Sequence, residues 1–231
     1  MKAILALPLA AALAAAPAAP IAVPADDAKA IRGLIETSVN QILAVLKDKA
    51  IAREAKKKRV VTVGEALFDL PLVAKLVLGR EHWSKLDPGQ QKEFQDLFVK
   101  QLQDSYFEKV DLLTDETVEF TEPAGQKDGK VQMMTHIHSK NELYEMLYKL
   151  YKKAGVWKVY DVEIEGISLV KAYGAQYDEF LRKSNPAGLL KKLRDQPFER
   201  PKDLEKSKKG AKGVQPAVPA GAPAETPTGK P

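Results

Sequence analysis

The side chains best suited to acid–base or metal chemistry in this chain are Asp69, His136, His138, Tyr160 and Asp161. An enzyme would need such a group inside a pocket, within reach of a substrate proton. One residue separates His136 from His138, so on a β-strand their imidazoles would share a face and could hold a metal ion. The chain has only three histidines and no cysteine, which makes a pair of surface histidines the favoured interpretation.

Both aspartates have a structural explanation. Asp69 precedes Pro71 by two residues, which is typical of an aspartate cap followed by proline in the first helical turn. Asp161 lies toward the end of a predicted strand, where it can accept hydrogen bonds. No Ser-His-Asp order, glycine-rich phosphate loop or carboxylate cluster completes a catalytic set. We therefore expect no enzyme activity, cofactor or metal, with an isomerase or hydratase as the alternative function.

Composition and charge argue against disulfide-stabilised, cysteine-dependent and nucleic-acid-binding proteins. Without cysteine the chain has no disulfide, no cysteine zinc site and no acylated cysteine to anchor it as a lipoprotein. The net charge of +5 combines 36 basic with 31 acidic residues, too balanced a mixture to indicate nucleic-acid binding. We expect no nucleic-acid partner.

The two ends of the chain differ from its middle. Residues 1–25 have Lys2, an apolar stretch and small residues before Asp26, which predicts a cleaved signal peptide, with an uncleaved anchor as the alternative. The apolar stretch, residues 3–16, is shorter than the ~20 residues of a membrane span. Residues 201–231 are rich in Lys, Pro, Ala and Gly and predict a disordered tail. Residues 26–200 are thus expected to form one domain.

The first half of this domain has the three- and four-residue apolar spacing of helices. The spacing predicts helices over residues 26–46 and 51–60 and a short apolar segment over 67–78 that Asp69 could cap, and Asp87-Pro88 opens the clearest helix. One face of that last helix has Phe94, Phe98, Leu102 and Tyr106.

After residue 113 the apolar spacing changes to two, which predicts four strands in an antiparallel meander. The strands are expected at residues 118–120, 131–137, 143–151 and 156–164, with a turn at Asn141. Helices over 168–182 and 189–193 follow. The fold class is therefore α+β, with helices packed on a four-stranded twisted sheet.

The middle strands have large side chains on both faces, including Met133, Met134 and Met146, three of the four methionines. A sheet with one wet face alternates more cleanly than this. Methionine adapts to irregular or variable neighbours, so these strands fit either an ordinary core or a wall beside an apolar pocket.

Three segments resemble the MlaC family of ABC-transporter auxiliary proteins. They are Phe68–Arg80, then Leu86–Gln90 continued by Phe94, Phe98, Leu102 and Tyr106 at four-residue steps, and Trp157–Val170. The likeness covers residues 29–193 and leaves the basic tail outside.

The resemblance implies a soluble, monomeric periplasmic carrier that holds a phospholipid by its acyl chains. Such a carrier passes lipid between an outer-membrane lipoprotein complex and an inner-membrane ABC transporter with an MCE-domain protein, and so maintains outer-membrane lipid asymmetry. The implied fold is similar to the NTF2-like cone. A periplasmic chaperone-like module that binds hydrophobic polypeptide is a further alternative.

A lipid carrier needs a deep apolar interior. At ~0.8 kcal/mol per methylene, two chains of ~16 carbons cost roughly 25 kcal/mol to expose to water. We therefore expect a void lined by aliphatic, aromatic and methionine side chains. The residues expected to line it are Leu72, Leu76, Phe98, Leu102, Met133, Met146, Tyr148, Val162 and Ile167.

Overall fold

A computed structural model describes residues 21–110, 116–139 and 142–206. Most of the predicted signal peptide, residues 207–231 of the predicted tail and the turn predicted at Asn141 lie outside these ranges. The fold is α+β, as the sequence indicates.

Seven helices are described. They are α1 (Ala25–Lys47), α2 (Arg53–Leu67), α3 (Leu70–Trp83), α4 (Pro88–Val110), α5 (Leu169–Leu181), α6 (Pro186–Asp195) and α7 (Lys202–Lys206). Helix α2 extends seven residues beyond its predicted end, because Phe68 and Asp69 stop it where the chain turns into α3. Within the described ranges, no helix combines the length and apolar character needed to cross a bilayer. Helix α7 lies wholly beyond residue 200 and its Leu204 is buried, so helical structure continues into the first residues of the predicted tail.

Side-chain caps fix where α3 and α4 begin. The Asp69 carboxylate accepts a hydrogen bond from the Leu72 backbone N–H at 3.3 Å, so the predicted cap is confirmed. Asp87 and Gln90 bond reciprocally, each side chain accepting from the other's backbone N–H at 2.9 and 3.1 Å. This capping box satisfies donors that the first turn of a helix leaves unpaired.

The sheet has six strands, so the prediction of four is wrong. The strands are β1 (Thr117–Phe120), β2 (Ala124–Gly125), β3 (Val131–Ser139), β4 (Glu142–Lys153), β5 (Val156–Ile164) and β6 (Ile167–Ser168). All pairings between these strands are antiparallel, in the order β1-β3-β4-β5-β6, and β2 also pairs with β3. Phe68 forms an isolated parallel bridge with Val159. The two additional strands have two residues each, too few to show an alternating pattern.

Two tight turns connect the last three strands of the sheet. Ala154-Gly155 joins β4 to β5 and Glu165-Gly166 joins β5 to β6, and all four residues have positive φ. Two consecutive positive φ values describe the type I′ turn, whose twist matches that of antiparallel strands.

The buried apolar residues form two clusters. The helical cluster joins α3, α4, α5, α6 and α7 around Phe94, Phe98, Tyr173 and Tyr177. The sheet cluster packs Ile31 and Ile35 of α1 against β3, β4 and β5. Phe68 and Ile164 contact both clusters, so the seam between them runs beside these two side chains.

Asp69 ties the start of α3 to the sheet. Its backbone N–H donates to the Val159 carbonyl at 2.9 Å, and its carboxylate accepts hydrogen bonds from the Tyr151 hydroxyl and, at 2.7 Å, from Lys153 Nζ. Burial raises the pKa of the Asp69 carboxyl, but the bonds from Lys153, Tyr151 and the Leu72 N–H outweigh burial and lower it. The ionised carboxylate is therefore the form that stabilises the fold.

Asp69→Asn should preserve the helix cap and lose the ion pair with Lys153. Because Lys153 is largely exposed, we expect about 1–2 kcal/mol of lost stability at pH 7. The folded pKa is depressed, so this contribution is complete above about pH 4, the unfolded value, and fades as pH falls through the folded pKa. Urea unfolding at pH 7, 5 and 3 should show the difference between variant and wild type shrinking in acid.

The matched control is Asp195→Asn, which removes an exposed carboxylate paired with Lys191. It should change stability little at any pH. An Asp69→Asn deficit that stays constant from pH 7 to pH 3 would contradict the role of the ionised carboxylate.

Candidate functional site

One face of the sheet is apolar almost from edge to edge. Strand register places a continuous set of side chains on this inner face. They are Val118, Phe120, Val131, Met133, Thr135, Ile137, Tyr144, Met146, Tyr148, Leu150, Val159, Val162 and Ile164. A β-bulge at Tyr160 keeps Val159 and Val162 on the same face although they are three residues apart.

The inner face is covered at one end and half-covered at the other. At the covered end Val131, Leu150 and Val159 are buried beneath Ile31 and Ile35 of α1. At the other end Thr135 is buried, but the apolar inner-face side chains beyond it retain part of their exposure. We call these five residues the half-covered end: Val118, Ile137, Tyr144, Met146 and Ile164.

Helix α1 runs along the sheet between these two ends. Near its start, Asp27 accepts hydrogen bonds from Lys152 Nζ at 2.7 Å and from Trp157 Nε1 at 3.1 Å, beside the β4–β5 hairpin. At its end Lys47 Nζ donates to the Glu116 carbonyl at 3.2 Å, just before β1. The second half of α1 therefore flanks the half-covered end of the sheet.

Helices α2 and α4 touch at one end and separate at the other. Lys57 of α2 pairs with Asp104 of α4 at 2.8 Å, and Arg53 and Lys57 lie over the Phe107 ring. Toward the other end of α2 a cleft of about 360 Å³ opens between the helices. Its lining residues are Glu65, Phe68, Leu70, Pro71, Gln95, Asp96, Val99, Lys100 and Gln103.

Phe68 connects this cleft to the interior. Its side chain lines the cleft and also packs against both apolar clusters. The cleft rim is mixed in charge, since Glu65, Asp96 and Lys100 all line it, whereas the clusters that Phe68 contacts are apolar. An apolar chain that displaced Phe68 would therefore pass from a polar rim to an aliphatic and aromatic interior.

The nine residues predicted to line a void include neither Phe68 nor Ile164. Both fall inside segments that resemble the MlaC family, but nothing in their spacing distinguishes a residue that borders two clusters from one within a single core. The bulge at Tyr160 also makes the position of Ile164 hard to predict from sequence. Simple alternation from Val159 would place Ile164 on the outer face of the sheet.

The nine residues predicted to line a void fall into three groups. Phe98, Met133, Tyr148 and Val162 are buried within the two clusters. Leu102, Met146 and Ile167 are partly exposed and pack at the edges of the clusters.

The last group lies on α3, where Leu72 is partly exposed and Leu76 is 41% exposed. None of the nine lines the cleft beside Phe68, nor a second cleft of about 380 Å³ between residues 21–27, residues 125–131 and Trp157.

The polar residues considered for catalysis or metal binding lie elsewhere. His136 and His138 are on the outer face of the sheet, 3.7 Å from Glu145 and 3.3 Å from Glu119 respectively. Across the described ranges no group of three or more His, Cys, Asp and Glu side chains could hold a metal ion.

Asp161 supports the start of α5. It accepts hydrogen bonds from the Ser168 hydroxyl at 2.7 Å and from the Val170 N–H at 3.1 Å. Its predicted role as a strand-end hydrogen-bond acceptor is confirmed.

Comparison with known proteins gives a family from a sequence model and a fold from a solved structure. The model of the MlaC protein family matches residues 36–195, from the middle of α1 to the end of α6. Among solved structures, a phospholipid-binding protein from Ralstonia solanacearum in complex with a phospholipid is similar, with a TM-score of 0.64 and 24% sequence identity. That similarity covers 76% of this chain and 98% of the other. No curated protein matches the sequence.

Substituting tryptophan for methionine should distinguish the two ends of the inner face. Met133→Trp overfills a packed position and should cost about 1–3 kcal/mol. Met146→Trp has a partly open surrounding, so its thermal midpoint should stay within about 2–4 °C of wild type. Differential scanning calorimetry of both variants measures the contrast, and equal destabilisation would mean that the space beside Met146 cannot accept added volume.

Proposed function

Because the chain belongs to the MlaC family, we propose that it binds a phospholipid by its acyl chains and carries it through the periplasm as a soluble, monomeric protein. The half-covered end of the sheet is the observation that carries this proposal. Five apolar inner-face side chains there lack full cover in water, and an apolar ligand would supply it. The phospholipid bound to the Ralstonia solanacearum protein of the same fold supports the choice of ligand.

We infer that the tails enter the seam between the two clusters past Phe68. Tails in the seam would lie against Leu102, Met146 and Ile167 first, since these already retain exposure. Parting the clusters further would add Phe98, Met133, Tyr148 and Val162 to the walls. Leu72 and Leu76 on the outer side of α3 would contact the tails nearest to solvent.

The head group belongs at the polar rim of the cleft. Lys100, Gln95 and Gln103 offer donors there, and Glu65 and Asp96 are acceptors. A rim of mixed charge holds a head group weakly, which suits a carrier that must release what it binds. Most of the binding free energy would come from the tails, worth up to roughly 25 kcal/mol on full removal from water.

The remaining parts of the proposal concern location and exchange. Residues 1–25 would direct export and be removed, residues 26–200 would hold the lipid, and the part of the tail after α7, residues 207–231, would form a solvated spacer. The carrier would exchange lipid with an outer-membrane lipoprotein complex and with an inner-membrane ABC transporter and its MCE-domain protein, maintaining outer-membrane lipid asymmetry. The helices on a twisted sheet would form an NTF2-like cone.

A binding protein is favoured over an enzyme because the histidine and aspartate candidates either lie on the outer face of the sheet or are engaged in structural hydrogen bonds. His136 and His138 face outward, and Asp69 and Asp161 are engaged in helix starts. The alternatives are an isomerase or hydratase and a chaperone-like module for hydrophobic polypeptide. The molecule that co-purifies with the protein distinguishes them, because neither alternative predicts a bound phospholipid.

Protein purified under native conditions should contain about one phospholipid per chain. Native mass spectrometry measures the stoichiometry, and mass spectrometry of the denatured sample identifies the lipid. Bound peptide in place of lipid would support the chaperone-like module. Protein that contains neither and does not take up phospholipid from vesicles would contradict the carrier function.

Ile167→Glu should fold and lose most of its lipid. Ile167 is partly exposed at the edge of the helical cluster, so the carboxylate can reach water in the empty protein but would be buried against tails in the loaded one. We expect at least about a fivefold loss of lipid per chain, measured by phosphorus assay.

The matched control is Val156→Glu, which introduces the same charge at a position that is 58% exposed. It should leave the lipid content unchanged. Circular dichroism checks that both variants fold, and Ile167→Gln tests the site if the glutamate variant does not. Wild-type lipid content in a folded Ile167→Glu variant would exclude this position from the site.

A further inference from the structure

Helix α3 buries one side in the helical cluster and leaves two leucines on the other side. Leu76 is 41% exposed, and Leu72, one turn before it, is partly exposed. Among the described helices, Leu76 is the one large apolar side chain with this much exposure. Scattered exposed leucines are common on protein surfaces, so the charges around this pair decide what it can meet.

Three cations accompany the two leucines. Lys75 directly precedes Leu76, and Arg80 follows it by one turn, after the break in the helix at Gly79; both cations are exposed. Lys171 is exposed on the neighbouring helix α5. Within the described ranges, none of the three cations has a carboxylate at ion-pair distance.

Helix α5 runs beside α3, which places Lys171 next to the leucines. A Cβ atom added at Gly174 would lie only 3.1 Å from the Val77 carbonyl oxygen. Further along both helices, His82 Nε2 lies 3.2 Å from the Asp178 carboxylate. The two helices are therefore parallel and in close contact. Lys171 precedes Gly174 by one turn, so it lies at the level of the leucines.

This surface combines exposed apolar side chains with positive charge. We call it the α3 outer face, and it consists of Leu72, Lys75, Leu76, Arg80 and Lys171. Glu81 follows Arg80 in the chain but pairs with Lys85 at 2.8 Å. Surfaces with leucine beside lysine and arginine suit the interface of an anionic bilayer, where the apolar side chains enter the acyl boundary and the cations meet lipid phosphates.

The α3 outer face is continuous with the cleft beside Phe68. Leu70 and Pro71, the first two residues of α3, line that cleft, and Leu72 follows them directly. A bilayer in contact with Leu72 and Leu76 would therefore lie at the mouth of the cleft. The assignment of this mouth as the lipid entry rests on the proposed function, whereas the exposed leucines and the cations do not depend on it.

We propose that the α3 outer face docks the protein reversibly on an anionic lipid bilayer. Leu72 and Leu76 enter the boundary between head groups and tails, and the three cations contact lipid phosphates. A bilayer is favoured over a protein partner because neither described cleft includes any residue of this face, so no groove selects a partner by shape. A fluid, negatively charged surface needs only cations and an apolar side chain that can enter it.

The longest run of basic residues in the chain lies elsewhere and supplies a control. Residues 56–59 of α2 are all basic. Lys57 pairs with Asp104 at 2.8 Å, while Lys58 and Arg59 are exposed. No large apolar side chain of α2 is exposed among them. Charge alone would favour docking through α2, whereas charge with an apolar anchor favours α3.

Vesicle flotation measures docking with vesicles of pure phosphatidylglycerol or pure phosphatidylcholine at constant low salt. Wild type should bind phosphatidylglycerol vesicles and bind phosphatidylcholine at least about tenfold more weakly. The double variant Lys75→Gln, Arg80→Gln should bind phosphatidylglycerol at least about tenfold more weakly than wild type. The control Lys58→Gln, Arg59→Gln has the same net charge and should stay within about threefold of wild type.

A fluorescent label tests whether position 76 itself enters the bilayer. The chain has no cysteine, so Leu76→Cys and Val156→Cys each accept a single NBD group. Val156, at the start of β5, is 58% exposed and provides the matched control. NBD emission rises when the dye leaves water. With phosphatidylglycerol vesicles it should rise at least about twofold at position 76 and stay unchanged at position 156.

Circular dichroism checks that every variant folds. Docking lost in the α3 variant and kept in the α2 control, with brightening only at position 76, would support the proposal. Wild type that does not bind phosphatidylglycerol vesicles would overturn it and leave the face for a protein partner. Equal loss of docking in the two double variants, or no brightening at position 76, would overturn it as well.

The lipid content of the purified protein distinguishes failure of docking from failure of the carrier function. About one phospholipid per chain without docking on vesicles would overturn only the docking proposal. Docking that depends on the α3 outer face, in a protein that never contains lipid, would support the docking proposal and contradict only the carrier function.

Discussion

The apolar inner face of the sheet extends farther than the helices that cover it. The proposed ligand site depends on this incomplete cover. Helix α1 buries the end near Val159, while Ile137, Tyr144 and Met146 retain exposure at the other. Uncovered apolar surface is unfavourable in water, so a stable protein retains it only at a cost. A ligand that covers this end therefore gains binding free energy that the fold itself does not use.

The residues Phe68 and Asp69 hold the start of α3 at a fixed position beside the sheet. Asp69 fixes the start of α3 against β5 through the Val159 carbonyl and against β4 through Tyr151 and Lys153. Phe68, the preceding residue, thereby lies where the cleft, the helical cluster and the sheet cluster meet. The two apolar clusters therefore meet at Phe68, next to a polar residue that bonds α3 to the sheet.

The sequence predicted the elements well where local chemistry decides them. The caps at Asp69 and Asp87 and the period change after residue 113 depend on neighbours along the chain, and the structure confirms them. It predicted the two-residue strands β2 and β6 poorly, because their pairing is decided by the partner strand. Of the nine residues expected to line a void, the pattern could identify apolar character but not which ones would be covered.

By itself the sequence determined the α+β class, the family and the apolar character of the strands, since each follows from residue types and spacing along the chain. Only the tertiary structure decided that one end of the sheet remains half-covered, that the bulge at Tyr160 brings Ile164 to the inner face, and that Tyr151 and Lys153 of β4 bond to Asp69. The physical reason is that burial and charge pairing are properties of surfaces brought together from distant segments. Composition and periodicity contain no information about which surfaces meet.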